Sequence, residues 1–95
     1  MIVEIKPSKR KDKKFTAIFS DNDKKIKTIH FGAKGMSDFT IHKDKDRKKL
    51  YLDRHRKNEK WNSYMTAGSL SRWILWNLPT LKESIIDYKK RFKLK

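Results

Sequence analysis

Residues 61–92 read WNSYMTAGSLSRWILWNLPTLKESIIDYKKRF and contain all three tryptophans of the chain. Within this stretch Leu70, Trp73 and Ile74 recur at i, i+3 and i+4, a spacing that predicts a helix with an apolar face. Pro79 ends that helix, because a residue before proline is pushed out of the helical backbone region. The stretch therefore predicts a folded domain with a helical core, not a flexible basic tail.

Capping residues mark where this helix and the next one begin. Thr66 and Ser69 are both suited to cap the first helix. Thr80 and Glu83 match a capping box, in which a hydroxyl and a carboxylate satisfy free backbone N–H groups. The second helix then carries an apolar stripe, formed by Leu81, Ile85, Tyr88 and Phe92. We expect the core to join these two helices through Trp73, Ile74, Leu81, Ile85 and Tyr88.

The first third of the chain has the pattern of strands. Residues 15–19 are rich in β-forming side chains, and residues 25–31 alternate between apolar and polar. The Asp- and Asn-rich residues 20–24 between them favour a turn, so the two segments predict a hairpin. Residues 1–6 alternate weakly and predict a short edge strand that ends at Pro7.

The middle of the chain connects the strands to the helices. Residues 32–38 contain two glycines and predict a tight strand-to-helix loop with positive φ at the glycines. The loop lacks the GxxxxGK[ST] and GxGxxG patterns of phosphate loops, but contact between Lys34 and a backbone phosphate stays open. A charged helix follows, with Thr40 or Asp44 as its cap and its end near Asn58.

Strands followed by helices predict an α+β fold. We expect a small antiparallel sheet, made of the hairpin and the possible edge strand, packed against about three C-terminal helices. Residues 1–14 are interpreted as a basic strand and connector, and residues 15–95 as a single α+β domain.

The net charge of +15 indicates which kinds of partner this domain binds. Lys and Arg number 26 against 11 Asp and Glu, and three blocks at residues 1–14, 41–60 and 81–95 carry +4, +5 and +4. Such a field attracts nucleic acid, an anionic membrane or an acidic protein surface. Arg72 is the one charged residue of segment 61–80, so charge and core are segregated along the chain.

The charged helix is the best candidate for contact with a polyanion. Lys45, Lys48 and Lys49 lie at i, i+3 and i+4, and arginines can fork onto phosphate oxygens where lysines cannot. A merely solvated helix face is the alternative. The candidate nucleic-acid-binding residues of the whole chain are Lys34, Lys45, Lys48, Lys49, Arg54, Arg56, Lys57, Lys89, Lys90 and Arg91.

Catalytic, cofactor and metal sites are not predicted. The chain has no cysteine, which excludes disulfides and thiolate metal sites. His30, His42 and His55 do not have the spacing of convergent zinc ligands. Asp44 and Asp46 lie in a lysine-rich run that competes for their carboxylates, so a nuclease-like metal site is not expected. Stacking of bases on Trp61 or Trp76 stays open as an alternative to packing.

Residues 26–92 resemble small, basic, uncharacterised proteins of large double-stranded DNA viruses of algae and protists, of the phycodnavirus and mimivirus kind. The blocks that carry the resemblance are HFGAKGMSDFT (residues 30–40), RHRKNE (residues 54–59), TAGSLSRWILWN (residues 66–77) and PTL (residues 79–81). The resemblance implies a viral source and a protein packaged in the virion. It implies no activity and no catalytic residue, and residues 1–14 lie outside it.

The sequence therefore predicts a non-enzymatic module that holds nucleic acid, with duplex DNA favoured, through backbone phosphates. The alternative is a minor capsid or cement protein whose basic surface docks on acidic viral structural proteins. No run of about 20 apolar residues could span a bilayer, and residues 1–7 lack the apolar region of a signal peptide. We accordingly expect a virion, a viral factory or the cytoplasm of an infected cell as the location, and no membrane partner.

Overall fold

A computed structural model describes all 95 residues and has the predicted α+β fold. Three antiparallel strands, β1 (Ile2–Pro7), β2 (Lys13–Asp21) and β3 (Lys24–Ala33), form one sheet in that order. Asn22 and Asp23 turn between β2 and β3 with φ of 50° and 64°. Two successive residues at positive φ match the right-handed twist of the strands they join. The hairpin and its turn are confirmed.

Strand β1 is an edge strand of this sheet, as predicted. It pairs with β2 from Ile2↔Ser20 to Pro7↔Phe15, and Val3 belongs to the buried core. The last residues of the chain cover its outer edge: the Val3 amide donates to the Lys95 carbonyl oxygen at 3.0 Å, and the Lys95 amide donates to that of Met1 at 3.1 Å. The basic segment 1–14 thus supplies a strand to the same sheet and the same core as residues 15–95.

Two helices follow the sheet, separated by Lys43 in the left-handed region at φ 55°. The first, α1 (Phe39–His42), is a single turn capped by Asp38, whose carboxylate accepts the Thr40 amide. The second, α2 (Lys45–His55), is capped by Asp44 as predicted. Thr40 is therefore not a cap, because it is the second residue of α1. The helix also ends three residues before Asn58.

The tryptophan-rich segment forms α3 (Ala67–Leu70), which continues as a π-helix over Ser71–Leu75. Thr66 caps α3 by accepting the Ser69 amide at 3.1 Å. In the π-helix the Trp76 amide donates to the Ser71 carbonyl oxygen at 3.0 Å, a bond across five residues. This wider turn replaces the last turn of the predicted α-helix.

The last helix, α4 (Leu81–Arg91), begins at the predicted cap. Thr80 accepts the Glu83 amide at 3.2 Å. Its hydroxyl lies 2.9 Å from Glu83 Oε1, so the carboxylate contacts the cap's side chain. No helix of the structure combines the length and the apolar character that a bilayer crossing requires.

The core lies between one face of the sheet and the last helices. Its buried members are Val3, Ala17, Phe19, Phe31, Leu70, Ile74, Leu75, Tyr88 and Leu94. Ile74 and Tyr88 are fully buried as predicted. Trp73, Leu81 and Ile85 are only partly buried and pack against this core. These three residues were predicted to lie within the core, but they lie at its edge. Residues of β2 and β3 are buried at its centre, namely Ala17, Phe19 and Phe31.

Candidate nucleic-acid interface

Helix α2 lies on the surface and has no buried residue. Its contact with the body runs through Tyr51, whose ring stacks on Trp76 at 4.2 Å with an angle of 3° and on His55 at 4.2 Å with an angle of 27°. Two rings cannot both lie this close on one face, so they sandwich the tyrosine. Burial, and then the Glu59 carboxylate, raises the pKa of Tyr51. The Trp76 ring therefore holds α2 against the rest of the domain.

Lys48 is the second anchor of α2. Its Nζ donates to the Asn77 carbonyl oxygen at 2.7 Å and lies 5.0 Å from the centre of the Phe39 ring. Burial lowers the pKa of Lys48, and repulsion from Arg72 and Lys45 lowers it further. Of the predicted binding residues, Lys48 thus attaches the helix to the tryptophan-rich segment instead of projecting freely.

Arg72 is a partly buried cation without a carboxylate partner. Its guanidinium carbon lies 4.1 Å from the centre of the Trp73 ring and 5.3 Å from that of Trp61. Nη1 donates to the Trp76 carbonyl oxygen at 3.0 Å, and Nε is buried with no hydrogen-bond partner. Burial lowers the pKa of Arg72 most, followed by repulsion from Arg91.

Arg91 of α4 stacks on the same tryptophan as Arg72. Its guanidinium carbon lies 3.8 Å from the centre of the Trp73 ring. Its Nη2 pairs with Asp87 at 3.4 Å, and the same Asp87 oxygen accepts from Asn77 Nδ2 at 2.7 Å. Because Asn77 also accepts from Lys48, a continuous set of contacts joins α2, the π-helix and α4.

These contacts join two basic blocks that are far apart in sequence. Arg56 also repels Arg72, and Lys45 repels Lys48, so both lie near this site, and both side chains are exposed. We call this set the cation cluster; it consists of Lys45, Lys48, Arg56, Arg72 and Arg91. Sequence reasoning missed Arg72. The available signal was its position as the lone charge in an otherwise uncharged, tryptophan-rich segment.

The remaining predicted residues lie around the cluster without a contact that joins them to it. Lys49, Arg54 and Lys57 are exposed on or just after α2, and Lys90 is exposed on α4, whereas Lys89 is partly buried. None of these five side chains forms an ion pair. They can therefore meet an anion without first breaking an internal bond.

Lys34 projects from the loop after β3, on a separate part of the surface. Gly32 and Gly35 adopt φ of 79° and 90°, which confirms the predicted tight connection. The Lys34 amide donates to the Asp12 carbonyl oxygen at 3.0 Å, and the Met36 amide donates to that of Ala33 at 3.2 Å. Those two amides are therefore engaged within the chain, whereas the Lys34 side chain is exposed and can meet a phosphate.

The histidines and Trp61 are engaged in local contacts. His30 Nδ1 lies 2.8 Å from the Thr16 hydroxyl, and His42 Nδ1 accepts the Asp44 amide at 2.9 Å. His55 Nδ1 and Trp61 Nε1 contact the two oxygens of Glu59. No three His, Asp or Glu side chains lie close enough together to hold a metal ion.

No curated protein and no solved structure matches the chain. One family model does match, over residues 3–55, which comprise nearly all of the sheet, α1 and α2. The matched part supplies Lys45 and Lys48 to the cation cluster, while Arg72 and Arg91 lie outside it. Since the match covers more than half of the 95 residues, the chain belongs to this family of unknown function, DUF5754.

Proposed function

We propose that the chain is a non-enzymatic nucleic-acid-binding protein that holds DNA or RNA through backbone phosphates. The single observation that carries the proposal is a set of exposed cations on or beside α2 and α4 that form no ion pair: Lys49, Arg54, Lys57 and Lys90. Arg72 and Arg91 stack on one tryptophan ring between these helices. Repulsion between Arg72 and Arg91 raises the free energy of the free protein, and a bound anion relieves that cost.

Phosphate is the anion whose geometry suits this site. Guanidinium groups donate two parallel hydrogen bonds to phosphate oxygens, and stacking on aromatic rings fixes their planes. The surrounding exposed cations, with Lys49, Arg54 and Lys57 on one side and Lys90 on another, extend the positive surface along a polymer. Duplex DNA is the favoured partner. Contacts of this kind position a duplex without reading its sequence.

A salt titration tests the proposal. We expect the logarithm of the binding constant for a duplex to fall linearly with the logarithm of salt concentration. For roughly five phosphate contacts the slope is about −4 to −5. The variant carrying Lys49→Ala, Arg54→Ala, Arg56→Ala and Lys90→Ala should lose about four units of slope if each residue neutralises one phosphate. Binding should weaken equally on unrelated sequences.

The matched control removes charge at the hairpin tip. Lys24 and Lys25 are exposed at the start of β3, at the opposite end of the strand from the loop that faces α2. Lys24→Ala with Lys25→Ala should change the slope by less than about one unit. Absence of binding to duplex, single strand and RNA at low salt would overturn the proposal. That outcome would favour the rival assignment, in which the same cations dock on acidic viral structural proteins.

The viral source and the place in the virion or viral factory are part of the same proposal. A genome-binding protein should leave a disrupted particle together with the nucleic acid. A capsid cement should stay with the shell at high salt. Fractionation of disrupted particles therefore separates the two assignments.

A further inference from the structure

A groove of about 530 Å³ separates α2 from the end of the sheet. Arg47, Leu50, Tyr51 and Arg54 line it from the helix, at the i, i+3, i+4 and i+7 positions of one face. Lys13 and the loop after β3 line the opposite side. Its volume lies within the range of pockets that bind small ligands or cofactors.

The charged side chains of this groove that have no ion-pair partner in the protein are all cations. Its two acids, Asp38 and Glu59, are both engaged inside the protein. Lys14 Nζ contacts Asp38 at 2.6 Å. Glu59 receives contacts from His55 at 3.0 Å and from Trp61 Nε1 at 2.8 Å. The remaining charged residues of the lining, Lys13, Arg47 and Arg54, form no ion pair, so the groove is complementary to an anion.

The groove also exposes apolar side chains to water. Leu50 is 60% exposed on the helix side, and Met36 is 66% exposed on the loop side. Phe31, Tyr51 and Trp76 also line the groove, but Phe31 is buried and Trp76 and His55 cover the faces of Tyr51, so Leu50 and Met36 supply the exposed apolar surface. A ligand that suits this site combines an apolar body with negative charge at its edge. A nucleotide has both properties.

We propose that this groove receives an unstacked base of single-stranded nucleic acid, whose flanking phosphates contact Arg47, Arg54 and Lys13. The inference rests on the proposed function and adds a second way of binding, in which a single strand or an opened end also places a base in the groove. A base within a duplex is paired and stacked, so only its backbone reaches this surface. A base that leaves the stack packs on exposed apolar side chains, here Leu50 and Met36, and such packing does not depend on the sequence.

The test compares a thymidine dodecamer with an abasic deoxyribose-phosphate chain of the same length and charge. We expect the full-length protein to bind the thymidine strand about tenfold more tightly, because one base buries apolar surface against Leu50 and Met36. Leu50→Ala should remove most of that difference without altering affinity for the abasic chain. Leu50 is exposed, and alanine favours the helix, so the variant keeps the fold.

Arg54→Gln and Arg56→Gln form the matched pair of charge variants, because both arginines are exposed and lie two residues apart, on nearly opposite sides of the helix. Only Arg54 lines the groove. Arg56→Gln should weaken both ligands by the same factor, whereas Arg54→Gln should also reduce the preference for the thymidine strand. Equal affinity of the wild type for both ligands would overturn the base site and leave phosphate binding intact. Binding of neither ligand, together with no binding of duplex DNA or RNA at low salt, would overturn the proposed function itself.

Discussion

Replacing Tyr51 with alanine should release α2 from the body of the domain while the sheet stays folded. The helix has no buried residue, and its attachment depends on the sandwich of Tyr51 between Trp76 and His55. Lys48 adds one hydrogen bond to the Asn77 carbonyl oxygen. None of these contacts belongs to the buried core between the sheet and the last helices.

The cost follows from these contacts. Each stacked pair contributes about 0.5–1.5 kcal/mol beyond burial, so two pairs contribute about 1–3 kcal/mol. Loss of the half-buried ring adds about half of the 3–5 kcal/mol expected for a fully buried aromatic residue. The hydrogen bond from Lys48 remains in the variant and still contributes about 1.5–3 kcal/mol to the attachment of α2. Tyr51→Ala therefore removes about 3–5 kcal/mol and leaves α2 weakly attached.

Native-state hydrogen exchange measures this directly, because local opening and global unfolding have different free energies. Amides of α2 should exchange more than about 100-fold faster in Tyr51→Ala, since each 1.4 kcal/mol is a factor of ten. Amides of β2 in the core should keep most of their protection. Leu50→Ala is the control. It changes an exposed neighbour on the same helix and should shift exchange by less than about threefold.

Two results would refute this reasoning. Unchanged exchange of α2 in Tyr51→Ala would mean that the aromatic sandwich does not hold the helix. An equal loss of protection in α2 and β2 would mean that the helix and the sheet unfold as one unit. In either case the position of α2, which forms one wall of the groove, would not depend on a separately stabilised aromatic sandwich.

Three further predictions concern the core and the cations. Ile74→Ala should lower the free energy of unfolding in urea by about 2–5 kcal/mol, whereas Trp73→Leu should cost less because Trp73 is only partly buried; equal costs would contradict the placement of the core. Inorganic phosphate should raise the melting temperature more than chloride of equal ionic strength, and Arg91→Gln should reduce that gain. The lowered pKa of Lys48 means that the unfolded chain binds more protons between this pKa and 10.5. Stability should therefore rise with pH across that window, and a pH series of urea melts should show a smaller rise for Lys48→Met.

Local patterns in the sequence predicted the elements that are determined by neighbouring residues, the hairpin and helix α4. The hairpin follows from alternation in residues 25–31 and from Asn22 and Asp23, which accept positive φ at a tight turn. Helix α4 follows from its cap and apolar stripe. The Asp38 cap was missed because Asp38 and Thr40 both have cap chemistry, and sequence alone does not determine which of them precedes the first helical residue.

The binding surface depends on contacts that no local spacing encodes. Lys48 is indistinguishable from its lysine neighbours until the carbonyl oxygen of Asn77, 29 residues later, accepts a hydrogen bond from it. Arg72 and Arg91 meet only because the π-helix and α4 pack against each other around Trp73. A count of cations finds the charged blocks, but it does not separate anchoring cations from free ones.

Helix periodicity explains how α2 can serve two surfaces at once. At about 100° per residue, Lys45, Lys48 and Arg56 fall on one side of the helix and Arg47, Leu50 and Arg54 on nearly the opposite side. The first set belongs to the cation cluster, and the second lines the groove. A strand that follows the cluster with its phosphates could therefore pass over α2 and turn a base into the groove. Duplex binding needs phosphate contacts but no base in the groove, so the charges of Arg54 and Arg56 should matter for duplexes and single strands, and the apolar side chain of Leu50 for single strands alone.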